Sequence, residues 1–162
     1  MGLLRIGVAG VGHMGSYHVA ALSEIADANL VALADPDESQ VRELADKYGA
    51  ESFSRFEDLI GKVDAVIVAV PTALHYRVSK KFLENGIHVL VEKPICNDVE
   101  EARELFRIAT KKKKILHIGH VERFNGAVQE GVGYYQTTTR NGRRSSAAAH
   151  WDSRGRSRNP FP

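Results

Sequence analysis

Residues 3–15, with the sequence LLRIGVAGVGHMG, set the architecture of this chain. The first part, 3–9, is a short apolar run with the length of a buried β-strand, and residues 13–26 have the spacing of a helix. Gly10 and Gly12 lie between the two and Gly15 lies in the first turn of the predicted helix, which gives the pattern G-x-G-x-x-G. The sequence therefore predicts a strand, a tight glycine turn and a helix in direct succession.

The same alternation continues along the chain. Apolar runs at 29–34, 64–70, 87–91 and 115–119 alternate with helical stretches at 38–48, 73–85 and 98–113, and shorter extended and helical pieces fall at 51–53 and 56–60. Parallel strands need crossover helices, which cover the sheet on both faces. The predicted fold class is therefore α/β, a doubly wound parallel sheet.

Residues near the predicted helix ends support these assignments. Asn85-Gly86 is a typical C-terminal cap, because glycine tolerates the left-handed conformation. Asn97 or Asp98 is expected to cap the helix that starts near 99. The lysines at 111–114 fall at the end of that helix, where cations meet the negative end of its dipole.

Composition places the chain among single-domain globular proteins. It has 162 residues, 43% of them hydrophobic and 26% charged. No apolar run approaches the roughly 20 residues that span a bilayer, so we expect a cytoplasmic protein without a membrane partner. The only cysteine, Cys96, cannot form an internal disulfide and is expected to be a small buried hydrophobe.

Charge is distributed unevenly. Residues 131–162 contain six arginines and one acidic residue, a net charge of +5, whereas residues 1–130 sum to −3. A mildly acidic body argues against nucleic-acid binding, which concentrates positive charge on the folded face. Binding of nucleic acid through the Arg-rich tail would rest on charge alone and is not expected.

The regular pattern stops after about Gly119. We expect a domain at 1–120 and, at 121–130, the start of a connection to a second domain. Residues 131–162 contain no Leu, Ile, Met or Lys, so we expect them to be largely disordered. So abrupt a change of composition suggests a premature end or a change of reading frame.

The glycine turn predicts a dinucleotide site. Gly10 permits the tight turn, Gly12 leaves space for a pyrophosphate, and Gly15 lets helix and strand pack closely. The following helix N-terminus, which includes His13 and Met14, offers unpaired N–H groups to the phosphates.

Asp35 lies 20 residues after Gly15, at the end of the second apolar run. A carboxylate there accepts hydrogen bonds from the ribose hydroxyls and repels a 2′-phosphate, which favours NAD over NADP. Residues 35–37 could also be a turn and helix cap, and both roles are compatible. Because Arg42, one turn into the next helix, is positively charged, NADP stays an alternative cofactor.

The reacting end of such a cofactor is expected at the ends of the runs 64–70 and 87–91. Val70-Pro71-Thr72 with His75 follows the first run, and Glu92-Lys93-Pro94 follows the second. Alternatively, Thr72 is a helix N-cap and His75 a surface residue.

Lys93 is the candidate catalytic residue. A lysine at a buried strand end beside a cofactor can bind a substrate hydroxyl and, where burial disfavours its charged form, help remove the proton as hydride leaves. Pro94 fixes the local backbone and could be cis.

Taken together, the glycine turn, Pro71-Thr72 with His75 and, above all, Glu92-Lys93-Pro94 resemble the Gfo/Idh/MocA family, over residues 3 to about 130. The resemblance implies NAD(P)-dependent oxidation or reduction of a hydroxyl on a sugar, nucleotide sugar or cyclitol, with Lys93 in the active site. Residues 119–125 are similar to the segment by which the nucleotide-sugar 3-dehydrogenases of this family leave the cofactor domain, which makes Arg123 and Asn125 candidate substrate contacts.

Two departures from the family are visible. Gly126 stands where relatives commonly have proline, and no part of 131–162 matches the second, α+β domain, which carries the substrate pocket. We therefore expect a truncated dehydrogenase that binds cofactor without turnover and lacks the family's oligomer interface. A non-catalytic dinucleotide-sensing module is the alternative.

Metal binding is not expected. His117, His120 and Glu122 lie close in sequence, but a strand followed by a turn need not bring their side chains together.

Overall fold

The apolar runs of the sequence become the strands of one sheet. A computed structural model describes residues 2–120; the tail at 131–162 and the candidates Arg123 and Asn125 lie outside the described residues. The elements, in chain order, are β1 (Leu4–Ala9), α1 (His13–Ser23), β2 (Ala28–Ala34), α2 (Glu38–Tyr48), β3 (Glu51–Phe53), a 3₁₀ turn (Phe56–Leu59), β4 (Ala65–Val68), α3 (Thr72–Glu84), β5 (His88–Val91), α4 (Val99–Lys112) and β6 (Leu116–Ile118).

The six strands form one sheet in the order β3-β2-β1-β4-β5-β6, and every pair is parallel. The chain builds outward from β1 in one direction and, after β3, from β4 in the other. Strand order therefore reverses between β1 and β4, which is where open α/β sheets bind ligands. The predicted doubly wound parallel sheet is confirmed.

Two apolar clusters cover the two faces of the sheet. Val68 packs in the cluster that contains Phe82 of α3 and Leu105 of α4. Its neighbour Ile67 packs in the other cluster, with Val19 of α1. Because successive strand residues point to opposite faces, α1 and α2 cover one face and α3 and α4 the other. This arrangement follows from right-handed crossovers that leave the middle of the sheet in opposite directions.

The helix ends largely agree with the sequence. The Asp98 side chain accepts hydrogen bonds from the backbone N–H groups of Glu100 and Glu101, which decides between the two predicted caps of α4. Gly86, after α3, has a φ of +74°. Helix α1 ends at Ser23 rather than near 26, because the N–H of Ala28 closes a turn on the carbonyl of Ile25 and directs the chain into β2.

Cys96 is buried, as expected, and burial raises the pKa of its thiol. Among residues 2–120, no helix has the length and apolar character needed to span a membrane.

Candidate functional site

A cleft of about 930 Å³ opens where the strand order reverses. This volume lies within the range of small-molecule and cofactor sites. Its walls come from the loops after β1, β2, β3 and β4 and from α3. The lining residues include Gly10, Gly12, Met14, Asp35, Gln40, Arg55, Val70, Pro71 and Arg77.

The glycine turn fits closely against its surroundings. Gly10 has a φ of +89°, and a Cβ there would lie 2.6 Å from the carbonyl oxygen of Ala69. A Cβ on Gly15 would overlap the carbonyl oxygen of Gly10. Gly12 differs, because nothing lies within 4 Å of the position its Cβ would take. Two glycines are thus required by the fold, and the third keeps open space in front of the helix.

The N-terminus of α1 has the features of an anion-binding site. Its N-cap, Gly12, provides no side-chain hydrogen bond, and its first turn contains no acidic residue. In contrast, Asp37 caps α2 and Asp98 caps α4, and acidic residues follow in both first turns. Hydrogen bonds from Ser39 and Gln40 also lower the pKa of Asp37. An uncapped helix terminus facing a cleft is a typical phosphate site.

His13 and Met14 occupy the first turn of α1. Met14 lines the cleft and is 42% exposed. The ring of His13 packs edge-on against Tyr17, with the ring centroids 4.8 Å apart.

Asp35 lies at the rim of the cleft with its carboxylate fixed by the backbone. Oδ2 accepts a hydrogen bond from the N–H of Val11 at 2.8 Å, and Oδ1 accepts one from the N–H of Asp37 at 2.9 Å. Each oxygen keeps capacity for another donor, such as a ribose hydroxyl. Asp35 therefore shapes the turn and faces the cleft, so the two alternatives drawn from the sequence are compatible.

The arginines that line the cleft differ from Arg42, the arginine that sequence analysis named. Arg55 and Arg77 contribute to its lining. Arg42 is exposed on α2 and borders a smaller neighbouring pocket with Glu38 and Ser52. Sequence analysis missed Arg55 and Arg77 because no local pattern connects either of them to the glycine turn.

The segment after β4 forms one wall of the cleft. Val70 and Pro71 line it, and Pro71, not Thr72, is the N-cap of α3. His75 is not a surface residue, since it is only 2% exposed. Its Nδ1 lies 2.7 Å from the carbonyl oxygen of Pro94, and its Nε2 lies 2.8 Å from that of Val70. Helix α3 turns this side chain inward, which the spacing alone did not show.

Glu92-Lys93-Pro94 follows β5 at the same edge of the sheet. Glu92 is 6% exposed, whereas the Lys93 side chain is exposed. Burial was expected for Lys93, but Glu92 is the buried residue at this strand end. The side chain of Glu92 points between α1 and the sheet, where it contacts His18. The Lys93–Pro94 peptide bond is cis.

Sequence analysis missed His18 on α1, which contacts the Glu92-Lys93-Pro94 segment. Its Nε2–H donates a hydrogen bond of 2.7 Å to Oε1 of Glu92. The only signal for this contact in the sequence was that His18 stands three residues after Gly15, on the helix that follows the glycine turn. In the part of the chain that the structure describes, no group of three or more His, Cys, Asp or Glu side chains could hold a metal ion.

These features define a nucleotide-binding Rossmann domain. The cleft lies where the strand order reverses, the glycine turn leaves space before the uncapped helix α1, and backbone N–H groups fix the carboxylate of Asp35. A family model described as "Oxidoreductase family, NAD-binding Rossmann fold" matches residues 4–120. The chain belongs to this family, Gfo/Idh/MocA, and its Rossmann domain binds NAD.

Two curated relatives illustrate the range of this family. UDP-N-acetylglucosamine 3-dehydrogenase of Acidithiobacillus ferrooxidans is 34% identical over 78% of this chain and 40% of the relative. Inositol 2-dehydrogenase of Corynebacterium glutamicum is 35% identical over 75% of this chain and 38% of its own length. The chain thus spans about 40% of the length of the curated relatives that it matches.

Solved structures agree with this assignment. The structure of the Acidithiobacillus enzyme superposes with a TM-score of 0.76 at 33% identity, covering 83% of this chain and 44% of the other. GenD2 from gentamicin A biosynthesis, solved in complex with NAD, gives a TM-score of 0.71 at 30% identity and covers 74% and 35%.

Proposed function

We propose that this chain provides the cofactor half of an NAD-dependent dehydrogenase, which transfers hydride between nicotinamide and a hydroxyl-bearing carbon of a sugar or nucleotide sugar. One observation carries the proposal. Lys93 follows β5 at the edge of the sheet where the cleft opens, and the glycine cradle and Asp35 lie at that same edge.

Each part of the cleft has a role in this proposal. The uncapped N-terminus of α1, behind Gly12, receives the pyrophosphate, and Asp35 accepts hydrogen bonds from the ribose hydroxyls. Val70, Pro71 and Thr72 flank the nicotinamide end. The bound nicotinamide supplies a hydride acceptor, or a donor in the reverse reaction.

Lys93 is proposed to handle the proton. In the oxidative direction, the Lys93 amine would accept the hydroxyl proton and the O–H electron pair would form the C=O bond. The hydrogen on the same carbon would leave with the C–H electron pair as hydride, which the nicotinamide would take up. Lys93 is exposed in the structure, and an exposed ammonium must lose its own proton before it can act as a base.

The substrate class rests on the relatives. One of them is a nucleotide-sugar dehydrogenase and another an inositol dehydrogenase, and both names describe oxidation of a ring hydroxyl. Arg123 and Asn125, outside the described residues, stay candidates for substrate contacts.

We further propose that residues 1–120 bind the dinucleotide but turn over no sugar without additional contacts. The support is that Lys93 is exposed to solvent among residues 2–120. Positioning of a substrate contributes on the order of 7–11 kcal/mol to catalysis. Residues 121–130 would then begin the connection to a substrate-holding domain.

Calorimetric titration of the chain with NAD and NADP tests the first part. Saturable binding that favours NAD is expected, and absence of binding by a folded chain would overturn the proposal. The second part is tested by NADH formation, followed at its absorbance, with UDP-N-acetylglucosamine and myo-inositol. Binding without NADH formation is expected. NADH formation by this chain would overturn the second part of the proposal, and its persistence in Lys93→Met would in addition refute the role of Lys93.

A further inference from the structure

The Glu92-Lys93-Pro94 segment lies between two histidines that come from opposite faces of the sheet. His18 belongs to α1, which covers one face, and His75 to α3, which covers the other. His18 contacts the side chain of Glu92, and His75 contacts the carbonyl of Pro94. The residue between these two contacts is Lys93.

The contact on the α1 side fixes the carboxylate of Glu92. Oε1 accepts the hydrogen bond from His18 at 2.7 Å, and Oε2 accepts one from the backbone N–H of Lys93 at 3.2 Å. Gly119, after β6, closes the third side, since a Cβ there would lie 3.1 Å from Oε1. The carboxylate thus contacts protein groups on three sides. Through its two hydrogen bonds it connects the backbone N–H of Lys93 to His18 of α1.

The contact on the α3 side joins two segments that are distant in sequence. The buried ring of His75 lies between the carbonyl oxygens of Val70 and Pro94, at 2.8 and 2.7 Å. Whichever ring nitrogen carries the proton, the ring donates to one of these two carbonyls, and two protons satisfy both. Since Val70 lines the cleft, the ring sets the distance between the cleft wall and the Lys93 segment.

We infer that His18 and His75 are positioning residues that hold the Lys93 backbone from both sides of the sheet. The inference rests on the proposed role of Lys93. An exposed lysine has a flexible side chain, so its backbone is what the fold can place accurately. A displacement of about 1 Å from the productive geometry can cost on the order of 100-fold in rate.

The test separates hydrogen bonding from side-chain volume. At each histidine, substitution by Phe preserves bulk and removes the donor, whereas Gln keeps an amide donor. His18→Phe, His18→Gln, His75→Phe and His75→Gln are compared with His117→Phe, a control at an exposed position on β6. Amide hydrogen exchange is measured by NMR on the whole chain, at Lys93 and at Val8 of the buried strand β1.

We expect His18→Phe and His75→Phe, but not the control His117→Phe, to speed exchange at Lys93 by about tenfold or more. At His18 this is the size expected for losing a hydrogen bond to a charged group. Exchange at Val8 should change less than about threefold, and His18→Gln should restore most of the protection. Equal effects of Phe and Gln at position 18, or equal effects at Lys93 and Val8, would overturn the inference, because a structural role alone produces them.

A measurement on the unmutated chain keeps the inference testable if a variant does not fold. Long-range proton–nitrogen NMR spectra should show a slowly exchanging proton on Nε2 of His18 and on Nδ1 of His75. A rapidly exchanging proton, or none, at either nitrogen would refute that contact. These outcomes do not depend on turnover. Loss of the Lys93 role in the activity assay would therefore leave them unchanged, so the two failures are distinguishable.

Discussion

Gly12→Ala should weaken cofactor binding more than it weakens the fold. Nothing lies within 4 Å of a Cβ at Gly12, and its φ of −61° is accessible to alanine. The loss of a good N-cap residue costs less than about 1 kcal/mol. A methyl group placed against the bound pyrophosphate costs about 1–3 kcal/mol by overpacking, which corresponds to an NAD affinity about 5- to 150-fold lower.

Gly15→Ala should show the opposite pattern. Its Cβ would overlap the carbonyl oxygen of Gly10, a backbone atom that cannot rotate away. Helix α1 must therefore shift from the glycine turn, at a cost of about 3 kcal/mol or more. For a domain of this size, that lowers the melting temperature by about 10 °C.

The assay combines thermal unfolding, followed by circular dichroism, with calorimetric titration of NAD. Gly2→Ala is the matched control, because a Cβ at this site also meets nothing within 4 Å and Gly2 lies outside the cleft. If Gly12→Ala binds NAD as tightly as the control, the pyrophosphate does not pass Gly12 and the assigned cradle is wrong.

Three further outcomes are expected. Asp35→Ala should lower NAD affinity about tenfold in calorimetry, through loss of ribose hydrogen bonds, and should narrow the preference for NAD over NADP; an unchanged NAD affinity would contradict the assignment of Asp35. Ser79→Ala should raise the free energy of unfolding by up to about 1 kcal/mol in urea titration, because Ser79 Oγ is buried without a hydrogen-bond partner among the described residues; a loss of stability would point to a partner. Arg5 lowers the pKa of Asp64 to about 2, so stability present above pH 4 should fall as pH drops toward 2. Because the pair is exposed, the effect should not exceed about 1 kcal/mol, and Asp64→Asn should remove it.

Local patterns predicted most of the fold. Each apolar run became a strand within about two residues, and the cap at Gly86 was assigned correctly, because strand length, helix periodicity and caps depend on residues close in sequence. The alternative interpretation of His75 as a surface residue was wrong, because its ring lies against the carbonyls of Val70 and Pro94 rather than beside neighbours on its own helix.

The sequence by itself determined the doubly wound sheet, which follows from the alternation of apolar runs and helices along the chain. It also determined the glycine turn and the position of Asp35, since both follow from spacing within a single strand–helix–strand unit. Only the tertiary structure decided which side chains meet at the reacting end. His18 and Glu92 are 74 residues apart yet joined by one hydrogen bond, and Arg77 reaches the cleft from a helix in the other half of the sheet. Such contacts arise when parallel strands bring their carboxyl ends to one edge, and the chain has no local signal for which side chains that edge will bring together.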